Sequence, residues 1–327
     1  MKFTLVTTCL NEMSSLAAWL EGIRRQTRQP DEVAIVDGGS TDGTIEALGA
    51  WARDDSRVKV RVENCTAARG RNLAIAMARH EHVISTDMGV SLDPKWIEEM
   101  ARPFEADESI DVVIGSYGVD ASTIKTAAAR AEHYIEGEGS PFWIRDGEAA
   151  LRNGVAPSNR SVAYTKKLWR ELGGLPEDLT RCADDSVFGR QILQSGCRMA
   201  FAPLAMVYWQ RHRSLKQFWR EQYAYGRGDG EAGIKAPAAF RLFRRRLLPR
   251  ALVAPLTGLR TLTKQIKPAR LWRALRKGDL LACACMPVLS FGNGYRFAKG
   301  YLVGHEYGNR HCLACRARLG GRGQEGQ

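Results

Sequence analysis

Short apolar runs ending in acidic or glycine-rich turns alternate with segments whose apolar residues recur at helical spacing. Phe3-Thr-Leu-Val-Thr-Thr8 predicts a strand, and Leu16, Trp19, Leu20 and Ile23 mark one face of the helix after it, capped by Ser14 or Ser15. A second strand, Val33-Ala-Ile-Val36, carries Asp37 to its end, and Ile45, Leu48 and Trp51 mark the next helix. Arg57-Val-Lys-Val-Arg-Val62 alternates charged and apolar residues, the pattern of a half-exposed strand. Leu73, Ile75, Ala76 and Ala78 predict a helix leading into the strand His82-Val-Ile-Ser-Thr86, which ends at Asp87. Repeated β-α units of this size predict an α/β fold with a doubly wound, mostly parallel sheet and right-handed crossovers.

Further along, Asp93 as cap and Pro94 as first helical residue predict a helix to about Phe104. Asp111-Val-Val-Ile-Gly115 and Arg198-Met-Ala-Phe-Ala-Pro203 read as strands, and Lys216, Phe218, Trp219 and Tyr223 as an amphipathic helix. Between Ser122 and Asn153 the pattern is irregular, and Gly137, Gly139, Gly147 and Gly154 predict mobile loops there.

Charge changes the picture of the second half. From Ala205 to Gln327 there are 24 Lys and Arg against 6 Asp and Glu, a local +18 within a total of +12, so the preceding body is mildly acidic. Basic tails meet nucleic acids, anionic membranes or acidic partners. The apolar runs Leu247–Leu256 and Leu280–Phe291 fall short of the roughly 18–20 residues of a spanning helix. Interleaved with Arg244, Arg245, Arg246, Arg270, Arg273, Arg276 and Lys277, they read as mainly helical segments lying on an anionic membrane surface, or as a solvated basic face over buried apolar stripes. The cations alternate with aliphatics rather than with exposed aromatics in a recognisable motif, which argues against nucleic acid. Met1 runs straight into a strand with no secretory pattern, so the expected location is the cytoplasm, peripheral on the inner face of the cell membrane. Cysteines in such a chain are expected reduced. Cys283, Cys285, Cys312 and Cys315 leave two readings open, a zinc site or plain packing.

Two carboxylates, Asp37 and Asp87, thus stand at strand ends on one sheet edge, where open α/β sheets bind ligands. That suggests a nucleotide and a metal. No G-x-G-x-x-G follows the first strand, which argues against a dinucleotide-dependent oxidoreductase. No lysine-bearing glycine-rich activation loop is present, which argues against a nucleotidyltransferase.

Six motifs in order resemble the family 2 glycosyltransferases, inverting enzymes of the GT-A fold. They are Thr7-Thr-Cys-Leu-Asn-Glu12, Val36-Asp-Gly-Gly-Ser-Thr-Asp-Gly-Thr44, Ala67-Ala-Arg-Gly-Arg-Asn72, Gly173-Gly-Leu-Pro-Glu177, Asp184-Asp-Ser-Val-Phe-Gly189, and Tyr208-Trp-Gln-Arg-His-Arg213 with Tyr225-Gly-Arg-Gly-Asp-Gly230. The resemblance covers roughly Phe3 to Gly230 and implies a nucleotide-sugar domain over 1–230 and a basic, helical C-terminal region over 231–327. It implies that Thr8, Asn11, Glu12, Asp37 and Arg71 bind the nucleotide, with Asp37 on the base. It makes Asp185 the general base and Asp184 its support, and puts Arg211, Arg213, Arg227 and Trp209 at the diphosphate or acceptor, with Trp143 as a second stacking ring. Asp87 occupies the first position of the D-x-D motif for magnesium or manganese, but Gly89 replaces the second carboxylate, and Trp209 stands near the place of a further histidine ligand while His212 is displaced. Each residue has a plainer reading: Asp37 caps its own turn, Arg71 is a solvated helix start, Asp184 and Asp185 cap a helix, Trp209 is core, and the arginines face lipid phosphate. The implied function is transfer of a sugar from a nucleotide-sugar donor to a saccharide or lipid-linked acceptor, in polysaccharide biosynthesis. The rival is a non-catalytic membrane- or partner-binding module on a transferase-like domain.

Overall fold

The computed structural model describes residues 1–136, 157–180, 182–210 and 214–311. In chain order, β1 (Phe3–Cys9), α1 (Met13–Arg24), β2 (Glu32–Asp37), α2 (Thr44–Asp54), β3 (Val58–Val62), α3 (Ala67–Met77) and β4 (His82–Ser85) build the alternating half. There follow β5 (Val90–Leu92), α4 (Trp96–Ala106), β6 (Val112–Val119), α5 (Ala127–Glu136), β7 (Val162–Thr165), α6 (Lys166–Glu171), α7 (Asp184–Ser195) and β8 (Met199–Trp209). The sheet order is β3-β2-β1-β4-β7-β6-β8-β5. All strands share one direction except β7, antiparallel to β4 and β6, and β5, antiparallel to β8. Strand β2 is buried along its whole length, as a central strand covered on both faces must be, whereas edge strand β3 is half exposed, as its alternation predicts.

The core divides by strand period. Phe3, Leu5 and Ile35 face one layer with Trp19, Leu48, Trp96 and Phe104, while Val6, Ala34 and Val36 face the other with Ile75, Tyr164 and Phe188. The chain winds outward from β1 through β2 to β3 and then returns across β1 to β4. The order therefore reverses between β1 and β4, and the ligand crevice of an open sheet lies at the carboxyl ends there.

Several expectations are corrected. Helix α1 begins at Met13 after Glu12, with no side-chain cap; Ser15 sits inside the first turn and donates to the Glu12 carbonyl (3.1 Å). Asp93 accepts from the Lys95 amide (3.0 Å) in a turn before α4, which starts at Trp96 rather than Pro94. Helix α5 occupies part of the stretch expected to be irregular; Gly137, Gly139, Gly147 and Gly154 lie outside the described residues. Strand β8 runs on to Trp209, with a register shift opposite Gly115 and Ser116, and the short β7 was not foreseen.

Two compact units emerge: described residues 1–119, 157–177 and 184–210, and described residues 120–136, 178–180, 182–183 and 214–311. The second adds α8 (Leu215–Ala232), α9 (Ala238–Arg244), α10 (Arg250–Gln265), α11 (Pro268–Arg276) and α12 (Leu280–His311) to α5. A division at residue 230 is therefore replaced, since α8 groups with the C-terminal helices. The reason is a glycine seam. A Cβ at Gly226 would stand 2.0 Å from the Phe297 carbonyl oxygen, and one at Gly304 would stand 1.9 Å from that of Arg227. Backbones this close admit only hydrogen at those positions.

Candidate active site

At the end of β2 the Asp37 carboxylate is fully buried. Oδ1 accepts from the amides of Gly39 (2.9 Å) and Ser40 (2.6 Å), and Oδ2 from Ser40 Oγ (2.7 Å) and Cys9 Sγ (3.4 Å). Burial first, and then the charge of Asp37, push the Cys9 thiol up, so it remains a donor. Both Asp37 oxygens thus hold the turn, the contacts that the turn-capping reading expects. The turn is tied to the end of β1. The Asn11 amide donates to Ser40 Oγ (2.8 Å), the Thr41 amide to Asn11 Oδ1 (2.8 Å), and the Glu12 amide to Thr44 Oγ1 (3.1 Å). Asn11 adopts a left-handed φ of 57°, one of the few conformations an asparagine tolerates where most side chains do not. Thr8 Oγ1 donates to the Val36 carbonyl (2.8 Å), with Gly70 packed against it.

Helix α3 is capped by Thr66, whose hydroxyl accepts from the Arg69 amide, and it carries Arg71 inward. Arg71 is buried, donating through Nη2 to Asp87 Oδ1 and through Nη1 to Asp184 Oδ2 (3.1 Å). Burial opposes its charge, but Asp87, Asp184 and Asp185 outweigh that and raise its proton affinity above the ordinary arginine value. The solvated-arginine reading is excluded. Its neighbour Asn72, which sequence reasoning left without a role, fastens the G-G-L-P-E loop. Asn72 Nδ2 donates to the Leu175 carbonyl (2.9 Å) and Glu177 Oε1 (2.8 Å), while its Oδ1 accepts from Trp169 Nε1 (3.0 Å) and the Leu175 amide (2.9 Å). The signal was present as the asparagine of A-R-N, but its partner lay about a hundred residues away.

Asp184 and Asp185 open α7, where the helix dipole favours negative charge. Ala183, ahead of them, has a φ of 77°, a strained conformation for alanine that turns the chain into the helix. Asp184 is buried on Arg71, with Asn159 Nδ2 3.4 Å away. Burial pushes its carboxyl up and Arg71 opposes this, while Asp185 and Asp87 add to the rise. Asp185 is half exposed, 3.4 Å from the Ser158 hydroxyl. The two adjacent acids are thus sorted: one inward on the arginine, the other toward solvent.

Asp87 keeps Oδ2 without a protein partner among the described residues, and its side chain is 36% exposed. A Cβ on Gly89 would stand 3.6 Å from Glu12 Oε2, so the Glu12 carboxylate reaches the position vacated in D-x-G. No group of three or more His, Cys, Asp or Glu suited to a metal occurs among the described residues. Magnesium at nucleotide sites needs only one or two carboxylates plus phosphate oxygens and water, so Asp87 with Glu12 fits that donor set.

Trp209 closes β8 against Tyr117 (5.5 Å between rings), and the Arg160 guanidinium lies 4.9 Å over its ring. Its aromatic face holds an arginine rather than standing open. Arg211, Arg213, His212 and Trp143 lie outside the described residues. Arg227 belongs to the second unit, where its Nε donates to the fully buried Glu231 (2.9 Å). Glu231 also accepts from the Thr180 amide (2.8 Å) and hydroxyl (2.6 Å). Cys283 and Cys285 pack against an apolar cluster, the packing reading of those thiols; Cys312 and Cys315 lie outside the described residues. Among the described residues no helix is long and apolar enough to cross a membrane.

The mixed, mostly parallel sheet with acidic strand ends at its switch point is the fold of the GT-A glycosyltransferases. Residues 4–160 match the family model described as "Glycosyl transferase family 2", and the chain is a glycosyltransferase similar to that family. It is 29% identical over 267 residues to the succinoglycan biosynthesis protein ExoA of Rhizobium meliloti, covering 77% of this chain and 75% of that one. It is 27% identical over 210 residues to the O-antigen chain rhamnosyltransferase RfbN of Salmonella typhimurium, covering 63% and 66%. Among solved structures, the mannosyltransferase PcManGT of Pyrobaculum calidifontis in complex with GDP-Man and Mn2+ aligns with a TM-score of 0.54 at 20% identity, over 94% of this chain and 87% of that one. Residues 1–349 of S. aureus TarS in complex with UDP align with a TM-score of 0.51 at 18% identity, over 94% and 91%.

Proposed function

We propose that this glycosyltransferase inverts: it moves a sugar from a nucleotide-sugar donor to a hydroxyl of a lipid-linked or exported saccharide, as a peripheral protein on the cytosolic face of a membrane. The observation that carries the reading is the buried Arg71, bonded to both Asp87 and Asp184. It couples the donor edge of the sheet to the acidic start of α7. The loops after β1 and β2, shaped by Asn11 and Asp37, form the nucleotide wall, with Thr8, Glu12 and Arg71 beside it. Asp37 acts there by setting the turn.

Asp185 is the base. It takes the proton of the acceptor hydroxyl as that oxygen attacks the anomeric carbon, and the bond to the diphosphate oxygen breaks, its electron pair leaving with the nucleoside diphosphate. A positioned base contributes about 10²–10⁴ in rate. Asp184, fixed on Arg71, orients the helix start that presents Asp185. Asp87 and Glu12 would hold a divalent cation, which neutralises charge on the leaving diphosphate when bound. A manganese complex of a protein with this fold supports the cation, and relatives named for succinoglycan and O-antigen synthesis support a polysaccharide product.

Membrane contact draws on the second unit. Leu252, Leu256 and Leu259 are exposed at helical spacing on α10, and Trp272 and Leu275 on α11, among Arg250, Arg260, Arg270, Arg273 and Arg276. Release of nucleoside diphosphate from a panel of nucleotide sugars tests the activity. Turnover of one donor, lost in Asp185→Asn, supports the assignment; equal rates in that variant refute the base.

A further inference from the structure

The second unit contains a cavity of about 470 Å³, within the roughly 300–1,000 Å³ range of small-molecule sites. Lys216, Trp219, Arg220, Tyr223 and Arg227 line it from one stripe of α8, following the helical repeat, and Arg296 of α12 faces them. Among the described residues no carboxylate lines it. Lys216, Arg220 and Arg296 are exposed, and none of them is paired with a carboxylate among the described residues. Arg227 is different, because the buried Glu231 holds its Nε and Thr180 fixes Glu231 in turn. The wall between these cations is the half-buried indole of Trp219 and ring of Tyr223.

Three cations without counter-charges among the described residues, above an aromatic wall, call for a ligand with concentrated negative charge at one end and hydrocarbon at the other. A single carboxylate would leave most of the charge unmatched. A phosphate or diphosphate ester matches it, and guanidinium groups bind its oxygens in pairs. An aromatic wall suits the first carbons of an alkyl or isoprenoid chain, and tolerates a cation above its face as well.

We infer that this cavity binds a phosphate-bearing amphiphile, its phosphate on Lys216, Arg220 and Arg296 and its first carbons against Trp219 and Tyr223. The inference rests on the reading that the acceptor is lipid-linked, and it names the chemistry by which such an acceptor is recognised. Arg227, anchored by Glu231, is the fixed member of the set.

The test is calorimetric titration of the full chain with decyl phosphate below its micelle concentration, beside decanol and inorganic phosphate. Decyl phosphate should bind at least about tenfold more tightly than either, and Arg220→Gln with Arg296→Gln should weaken it by about tenfold or more, as loss of charged hydrogen bonds does. Lys216→Gln, also at the exposed rim, should weaken it in the same direction. Competition by phosphatidic acid vesicles would assign the phosphate to bilayer lipid and overturn acceptor recognition here, and its absence supports the lipid-linked acceptor. Equal affinity of wild type and the double variant, or of decanol and decyl phosphate, overturns it. A separate titration of the wild type with nucleoside diphosphates reads the donor site, so failure here is told apart from failure of the transferase reading.

Discussion

Arg71 Nη1 lies 3.1 Å from Asp184 Oδ2, and the other arm of the same guanidinium holds Asp87. The arginine is buried, so its removal leaves carboxylates facing each other with no cation between them. Breaking a buried pair from one side costs about 3–5 kcal/mol. Arg71→Met should lose about that much in urea unfolding, and lose sugar transfer with it. Unchanged stability would show that the pair carries no weight.

The two acids of α7 should separate kinetically. Asp185→Asn is expected to lower kcat by about 10²–10⁴ while leaving the donor KM within a few-fold, because a base acts on the acceptor proton in the transition state. Steady-state rates over donor concentration check this. A comparable loss appearing only in KM would move Asp185 from chemistry to binding.

Stability at acid pH should depend on Glu32. It is fully buried and accepts from Lys59 Nζ (2.6 Å), the Arg79 amide (2.7 Å), Arg79 Nε (2.9 Å) and Thr4 Oγ1 (2.8 Å). Burial pushes its carboxyl up, but those donors win and lower it from 4.5 to about 2. A carboxylate lowered in the fold stabilises above its unfolded value and loses that contribution as pH falls from about 4.5 to about 2. Glu32→Gln should cost about 2–3 kcal/mol at neutral pH, and the gap to wild type should close over that interval. Denaturant midpoints across pH measure it.

Gly304→Ala tests the glycine seam of α8 and α12. Its Cβ would meet the Arg227 carbonyl oxygen at 1.9 Å, a backbone atom that cannot swing aside. Overpacking of this kind costs about 1–3 kcal/mol or more. Gly173→Ala, with nothing within 4 Å but a φ of 75°, should lose less. Thermal melts of both, compared with wild type, give the order.

The alternating half of the sheet was legible because period and turn chemistry there are local: Asp37 with its two glycines, and the Val-Lys-Val-Arg alternation of β3, carry their own signals. The short β7 was not legible, since Val162–Thr165 becomes a strand only by pairing with β4 and β6. The candidate site residues are marked by motif, but their partners are not. That Arg71 reaches both Asp87 and Asp184, 16 and 113 residues away, is a tertiary fact. At Asp37 the motif suggests a ligand contact, and the local turn contacts of both oxygens are visible only in the structure. The Gly226, Gly230, Gly300, Gly304 and Gly308 spacing was visible in the sequence and went unread as a helix seam.

The cation assignment predicts that Glu12→Gln and Asp87→Asn each weaken manganese-dependent stabilisation, with the double variant losing it. Melting curves with and without manganese, at saturating nucleoside diphosphate, measure it. If only Asp87→Asn matters, Glu12 serves the loop alone.

The most direct measurement is a thermal-shift panel of UDP, GDP, TDP and CDP, each with and without manganese, on wild type and Asp87→Asn. Ligands that bind the folded state raise its melting point by mass action. A selective rise with one nucleotide, deepened by manganese and reduced in Asp87→Asn, is the predicted result. No rise with any nucleotide would contradict a donor site at the β1–β4 edge.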